Sequence, residues 1–208
     1  MLEVKNIKKE YRGFTALDDV SLCLGEKECV SIRGESGCGK STLLMIIAGL
    51  TEADSGQILK NGKELPLVPH KRGMSMVFQD ATLWNHMTVK ENILFASPFN
   101  EKKVRDIQAE ELSEAFGIEN LLSRYPTQIS GGQAKRAAIA RALAAGREIL
   151  LLDEPFSNLD KVWREKTVLK TKELTEGRCS VILVTHSSEE ADLFCNTHYH
   201  MEEGKFVE

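Results

Sequence analysis

Residues Cys29 to Leu50 read "CVSIRGESGCGKSTLLMIIAGL". A short run, "CVSIR", leads into a glycine-rich loop, and the loop leads into a compact apolar helix over Thr42 to Leu50 that ends near Gly49. The loop, Gly34 to Ser41, fits G-x-x-x-x-G-K-[ST], and a place between strand and helix is the context in which that pattern cradles phosphate. Its glycines let backbone N–H groups curl around phosphate oxygens. The following helix adds its positive end. Lys40 is placed to reach the β- and γ-phosphates, and the Ser41 hydroxyl to ligate Mg²⁺.

Outward from this unit, the chain alternates strand and helix. Residues 2 to 33 form short strands, "LEVKNIKKEY", "ALDDVSLCL" and "CVSIR", joined by glycine turns. "GQILKNGKEL" is a hairpin with Asn61-Gly62 as its turn, and "MSMVF" (74–78) is a buried strand. From about residue 80 to 146 the spacing becomes helical, with Val104 to Phe116 and Ala134 to Ala145 the clearest runs. Then come "EILLL", a charged helix over 161–176, "SVILVT", a helix near 187–195 and a closing hairpin in "HYHMEEGKFVE". The expected fold is an α/β core made of both ends of the chain (1–79 and 147–208), with a helical lobe inserted at about 80–146.

Four strands run into polar residues: "CVSIR" into Gly34, "MSMVF" into Gln79, "EILLL" into Asp153 and Glu154, and "SVILVT" into His186. In buried parallel sheets, ligands bind beyond the carboxyl ends of the strands, so these four ends are expected to converge. Asp153 ends its strand as a Mg²⁺-holding aspartate does. Glu154 follows directly, and adjacent carboxylates repel unless a cation lies near. In that role Asp153 serves the metal and Glu154 polarises a water. The bland alternatives are a solvated acidic turn before Pro155, a histidine that caps a helix, and an amide that closes a strand.

A second glycine-marked helix start lies at Ile129 to Leu143, "ISGGQAKRAAIARAL". Ser130 is a good N-cap and the alanines favour helix. Glycines at a helix mouth admit an anion close to unsatisfied N–H groups. One loop already envelops the phosphates, so a second phosphate feature in a separate lobe suggests use in trans, on the nucleotide of another subunit. The alternative is a glycine linker before an ordinary helix.

Composition sets bounds. The chain has 208 residues, 42% hydrophobic and 28% charged, with a net charge of -4, enough for one large domain with a sizeable core. A sequence pI of about 5.8 does not suggest a nucleic-acid binder. The five cysteines, Cys23, Cys29, Cys38, Cys179 and Cys195, include no C-x-x-C pair. That pattern predicts reduced thiols in a cytosolic protein, not a disulfide framework. Met1 leads at once into a charged strand, so no signal peptide is expected. The run "LLMIIAGL" is too short to span a bilayer, so any membrane crossing falls to another chain.

These motifs, in this order, resemble the ATP-binding subunits of ATP-binding-cassette (ABC) transporters over essentially the whole chain. Gly34, Glu35, Ser36, Gly37, Cys38, Gly39, Lys40, Ser41 and Thr42 match the Walker A loop. Tyr11 matches the aromatic that stacks on adenine, Gln79 the Q-loop, and Asp153 and Glu154 the Walker B aspartate and catalytic glutamate. Ser130, Gly131, Gly132 and Gln133 match the L-S-G-G-Q signature, with Ile129 in the leucine position. "SNLD" (157–160) resembles the D-loop, and His186 the switch histidine.

The resemblance implies an ATPase that uses ATP and Mg²⁺, the metal held by Ser41, Gln79 and Asp153. Lys40, Gln79, Glu154 and His186 are its expected catalytic group. It implies a head-to-tail pair of cassettes, identical in the simplest case, with two ATP molecules sandwiched between them, and a place at the cytoplasmic face of a membrane. The segment "LWNHMTVKENI" (83–93) resembles the surface that receives a permease's coupling helix, with Trp84 and Met87 either a partner surface or local core. Separate permease chains, and in an importer a solute-binding protein, are the expected partners; no nucleic acid is expected. "DEPFSNLD" and "MVFQDATLWNHMTVKEN" lean towards bacterial importers, without the added C-terminal regulatory domain of sugar-importer subunits. The alternatives are a soluble ABC machine of chromosome maintenance, repair or translation, and a small P-loop kinase or GTPase. Three weaker features remain. Cys38 is an alkylation target, His198 and His200 share one strand face as a weak metal candidate, and 161–176 reads as a solvated face.

Overall fold

The computed structural model describes residues 1–207. In chain order the elements are β1 (Leu2–Tyr11), β2 (Phe14–Leu24), β3 (Cys29–Arg33), α1 (Lys40–Ala48), β4 (Ser55–Lys60), β5 (Lys63–Glu64) and β6 (Met74–Val77). There follow α2 (Val89–Leu94), α3 (Lys102–Ala115), α4 (Gly131–Ala144), β7 (Ile149–Asp153), α5 (Lys161–Thr175), β8 (Ser180–Val184), α6 (Ser188–Phe194), β9 (Thr197–Glu202) and β10 (Lys205–Val207). One compact unit is Met1–Met76 with Glu148–Glu154 and Gly177–Glu208; the other is Val77–Arg147 with Pro155–Glu176.

The first unit carries an antiparallel sheet in the order β2-β1-β4-β5 and a larger sheet in the order β10-β9-β3-β8-β7-β6. In the larger sheet β3 runs parallel to β8 and β9, and β7 parallel to β8. Strands β7 and β8 are buried at every residue, which is why they read as continuous apolar runs. Strand β1 alternates instead: Leu2 and Val4 are buried, Asn6 breaks the register with φ +50°, and Ile7 returns to the core. Such a bulge turns the strand and keeps its apolar residues on one face. Leu43, Leu44, Ile46 and Ile47 of α1 lie in the same core as both sheets. At its far end Arg72 donates through Nη1 to the carbonyls of Ile46 (2.6 Å) and Ile47 (2.7 Å) and through Nε to that of Pro66 (2.7 Å). A guanidinium is suited to the orphan carbonyls of a helix C-terminus.

The second unit centres on α4, buried from Lys135 to Ala140. Arg136 stacks over the Trp163 ring of α5 (3.8 Å) and donates to the carbonyls of Phe116 (2.5 Å) and Gly117 (2.9 Å) at the end of α3. One side chain thus joins three helices.

Helix α5 keeps the expected solvated face and turns its other face, with Thr167, Val168, Thr171 and Thr175, inward. Each threonine hydroxyl donates to a carbonyl four residues earlier: Thr167 to Trp163 (2.5 Å), Thr171 to Thr167 (2.6 Å) and Thr175 to Thr171 (2.8 Å). With the hydroxyl turned into its own helix, threonine presents a methyl and packs as an apolar residue. Cys29 and Cys195 are not reduced thiols: they are joined as a disulfide with Cα atoms 4.9 Å apart. They lie 166 residues apart in sequence, and only the folding of α6 onto β3 brings them together. Cys23, Cys38 and Cys179 are free. Among the described residues, no helix is long and apolar enough to cross a membrane.

Candidate active site

Three adjacent parallel strands of the first unit end together. Gly34 follows β3, Glu154 follows β7 and His186 lies just beyond β8. Asp153 is in register with Val184, the Glu154 amide donates to the Val184 carbonyl (2.9 Å), and the Thr185 amide donates to that of Ile32 (3.3 Å). The polar ends are therefore held level by the sheet itself.

The phosphate loop is glycine where side chains cannot fit. Gly34 has φ +149° and Gly39 φ +113°. A Cβ on Gly34 would lie 2.1 Å from the Met201 carbonyl oxygen, and one on Gly39 would lie 2.4 Å from that of Ala16. The loop is thus pressed between the start of β2 and the end of β9, and the Gly204 amide donates to the Cys38 carbonyl (3.0 Å). Glu35, Ser36 and Gly37 form its exposed outer turn, and Thr42 is half-buried in the first turn of α1. Helix α1 starts at Lys40, two residues before the expected Thr42. The buried Lys40 ammonium donates to the carbonyls of Gly34 (2.8 Å) and Glu35 (2.6 Å) and lies 3.6 Å from the Cys38 sulfur. It sits inside the loop whose N–H groups would wrap an anion.

Ser41 Oγ donates to Asp153 Oδ1 at 3.0 Å, and Asp153 is only 4% exposed. A hydroxyl and a buried carboxylate, side by side at a phosphate loop, form the hard oxygen donor set that suits Mg²⁺. Glu154 holds φ +43°, a backbone conformation that costs about 1–3 kcal/mol for a non-glycine residue and concentrates at active sites. Its Oε2 lies 3.5 Å from His186 Nδ1. The structure therefore brings together the phosphate loop, Asp153, Glu154 and His186.

Beside the loop's outer turn is a cavity of about 1060 Å³, lined by Phe14, Ala16, Glu35 to Cys38 and the β9–β10 hairpin. Tyr11 is exposed at the end of β1 and pairs with Phe14 across the hairpin turn. Phe14, which the sequence reading did not single out, is a second exposed aromatic at this edge, opposite Tyr11 across the Arg12-Gly13 turn.

In the second unit, Ser130 caps α4 in a reciprocal box. Its Oγ accepts from the Gln133 amide (3.3 Å) and Gln133 Oε1 accepts from the Ser130 amide (2.9 Å). Gly131 is exposed and Gly132 half-buried in the first turn. Gln79 is exposed, and the carbonyls of Phe78 and Gln79 accept from the Lys135 ammonium. Trp84 is half-buried, packed at a tilt against Phe95 (4.3 Å) and beneath Arg141 (4.5 Å). Asn92, fully buried, donates to the carbonyls of Trp84, Met87 and Thr88. His198 bonds to Ser31 Oγ (2.7 Å) and lies 3.5 Å from Asp192; His200 lies 3.2 Å from Glu202. No group of three or more His, Cys, Asp or Glu placed to hold a metal occurs among the described residues.

Comparisons with known proteins agree on the family. Residues 17–157 match the ABC transporter family model. The chain is 40% identical to the putrescine transport ATP-binding protein PotG of Escherichia coli, covering 100% of this chain and 56% of PotG. It is 42% identical to the sulfate/thiosulfate import ATP-binding protein CysA of Synechocystis, covering 90% and 54%. It is 40% identical to the thiamine import ATP-binding protein ThiQ of Aliivibrio fischeri, covering 96% and 86%. The chain thus spans little more than half the length of the first two. Among solved structures, the ATP-binding cassette MJ0796, in a dimeric post-hydrolysis state bound to ADP and Pi, superposes with a TM-score of 0.90 at 32% identity, covering 100% of this chain and 97% of that one. The fold is therefore that of an ABC ATPase cassette, and the chain belongs to the ABC transporter family.

Proposed function

We propose that the chain is the ATP-hydrolysing subunit of a membrane importer, working as a pair of cassettes that moves separate permease chains. One observation carries this reading: Lys40, the Ser41–Asp153 pair and the Glu154–His186 pair gather beyond the ends of three adjacent parallel strands. The reaction is ATP and water to ADP and phosphate. Lys40 exchanges loop carbonyls for phosphate oxygens, which its three donors accommodate equally well. Ser41 and Asp153 would hold Mg²⁺, with Gln79 assigned beside them by resemblance; the ion, when bound, offsets charge on the β- and γ-phosphate oxygens. Glu154 accepts a hydrogen bond from the attacking water and takes its proton. His186 braces that carboxylate and faces the γ-phosphate. Tyr11 and Phe14 provide aromatic surface for the adenine.

The capped mouth of α4 is assigned to the nucleotide of a partner cassette, in keeping with the dimeric state named for the MJ0796 cassette. The segment 80–93 is assigned to the permease, with the half-buried Trp84 and Met87 within it, on the cytoplasmic side of the membrane. The named cargoes of the relatives are putrescine, sulfate or thiosulfate, and thiamine, at 40%, 42% and 40% identity. A cation, an anion and a charged heterocycle at equal distance argue that another chain selects the cargo, a permease or a solute-binding protein.

The test is Glu154→Gln with saturating ATP. Loss of hydrolysis together with an ATP-dependent dimer on size-exclusion light scattering is the expected result. A monomeric, fully active variant would sink the reading. Purification from detergent-solubilised membranes, with mass spectrometry of the partners, tests the permease: a soluble set of partners would favour a chromosome or translation machine.

A further inference from the structure

Helix α4 carries a buried cation that the hydrolytic roles above leave unused. Lys135 is 3% exposed. Its ammonium donates to the carbonyl of Phe78 (3.1 Å) and to that of Gln79, 57 and 56 residues earlier in the chain. Strand β6 ends at Val77, so these are the first two carbonyls beyond the strand. A backbone carbonyl that leaves a sheet needs a donor from elsewhere. A buried ammonium, with three donors and no acceptor, is costly unless it is paired. Cation and carbonyls therefore hold one another. Further along the same helix, Arg141 donates to the Thr82 carbonyl (3.0 Å), and its guanidinium lies over the Trp84 ring (4.5 Å). Two cations of α4 thus fasten the segment from Phe78 to Trp84 near both of its ends.

We propose that Lys135 is a positioning residue for Gln79. The Gln79 side chain is exposed, but the peptide from which it springs is fixed to the helix that opens on Ser130. The direction in which the amide leaves the chain is then set by α4, and a displacement of α4 is carried to Gln79 most directly through Lys135. The inference rests on the assignment of Gln79 to the hydrolytic step.

The experiment uses the full chain as wild type, Lys135→Met, Lys135→Arg, Gln79→Ala and the Lys135→Met/Gln79→Ala double variant. Hydrogen–deuterium exchange without nucleotide reads the segment 78–82 directly. Lys135→Met is expected to raise exchange there while the rest of α4 keeps its protection. Its kcat is expected to fall about 10- to 100-fold, the scale of a small misplacement of a reacting group, while KM for ATP changes far less. The double variant is expected to be no slower than Gln79→Ala alone, and Lys135→Arg to recover both protection and turnover. Unchanged exchange at 78–82, loss of protection across all of α4, or a double-variant loss equal to the product of the single losses overturns the proposal. If Lys135→Met does not fold, Lys135→Leu, which likewise removes every donor, is read the same way. Wild-type hydrolysis by Gln79→Ala would instead remove the assignment of Gln79; the exchange readout tells that failure apart from failure of the tether.

Discussion

Helices α1 and α4 both open beside glycine, yet their mouths are built differently. At α1 the N-cap is Gly39, in a left-handed conformation and with no side-chain cap bond. At α4 the N-cap is Ser130, and Ser130 and Gln133 satisfy each other's amides. The cations differ too. Lys40 folds back into its own loop, onto the Gly34 and Glu35 carbonyls, whereas Lys135 turns away to the carbonyls beyond β6. The first mouth has the positive charge, the naked N–H groups and the carboxylate of Asp153 in one place. The second is a capped helix end with no charged side chain in its first turn. On the proposed function, the loop that would wrap polyphosphate is the uncapped one, and the surface that would meet a partner's nucleotide is capped in advance.

The largest expected effect tests whether the first mouth does the chemistry. Glu154→Gln removes the proton acceptor but keeps the shape, and hydrolysis is expected to fall about 10²- to 10⁴-fold while nucleotide still binds, as read by steady-state turnover and fluorescent-nucleotide titration. If turnover fell only a few-fold, the general base would lie elsewhere. Next comes a pair of alanine substitutions, one at each mouth. Gly39→Ala puts a Cβ 2.4 Å from the Ala16 carbonyl oxygen at φ +113°, so a loss of about 2–3 kcal/mol in stability is expected, with nucleotide binding lost as well. Gly131→Ala meets nothing within 4 Å in helical backbone, so stability is expected to hold or rise by up to about 1 kcal/mol. Denaturant melts of the two variants check the contrast, and equal losses would erase it. Ser130→Ala removes the cap of α4 and is expected to cost about 1 kcal/mol, by the same measurement.

The smallest effect is a pH dependence in the second unit. The Glu91 carboxylate accepts from the Thr88 amide (2.7 Å) and hydroxyl (2.9 Å). These hydrogen bonds, the amide first, hold its pKa below the ordinary carboxylate value. A folded pKa below the unfolded one gives stability that is present above the ordinary Glu pKa and is lost as pH falls through the lower, folded value. Thermal melts between neutral and acid pH are expected to show that loss in the wild type and less of it in Glu91→Gln. Identical profiles would mean that the α2 capping box does not titrate with folding.

Strand and helix order could be read along the chain because each local signal is complete in a few residues. "GESGCGKS" between a strand and an apolar helix carries its own geometry, and the Ile149–Asp153 run announces a buried parallel strand by having no polar face. The buried row Thr167, Thr171 and Thr175 left no signal in the sequence, for an equally local reason. Hydropathy counts a hydroxyl as polar wherever it points, while here each one is turned into the helix. Phe14 went unnoticed because the sequence reading began that strand at Ala16, whereas β2 starts at Phe14, in register with Tyr11.

The sequence by itself determined the family and the order of the motifs, and it proposed a chemistry for each: glycines where backbone would meet phosphate, a lysine and a hydroxyl at the helix mouth, paired carboxylates at a strand end. Those choices are made residue by residue, and they survive in the text of the chain. The tertiary structure alone decided which distant groups meet. It set Ser41 on Asp153, 112 residues away; it joined Cys29 to Cys195; and it aimed Lys135 at the peptide of Gln79. Such meetings depend on strand order, register and the rotation of a helix about its axis, and these are settled by the packing of the whole core.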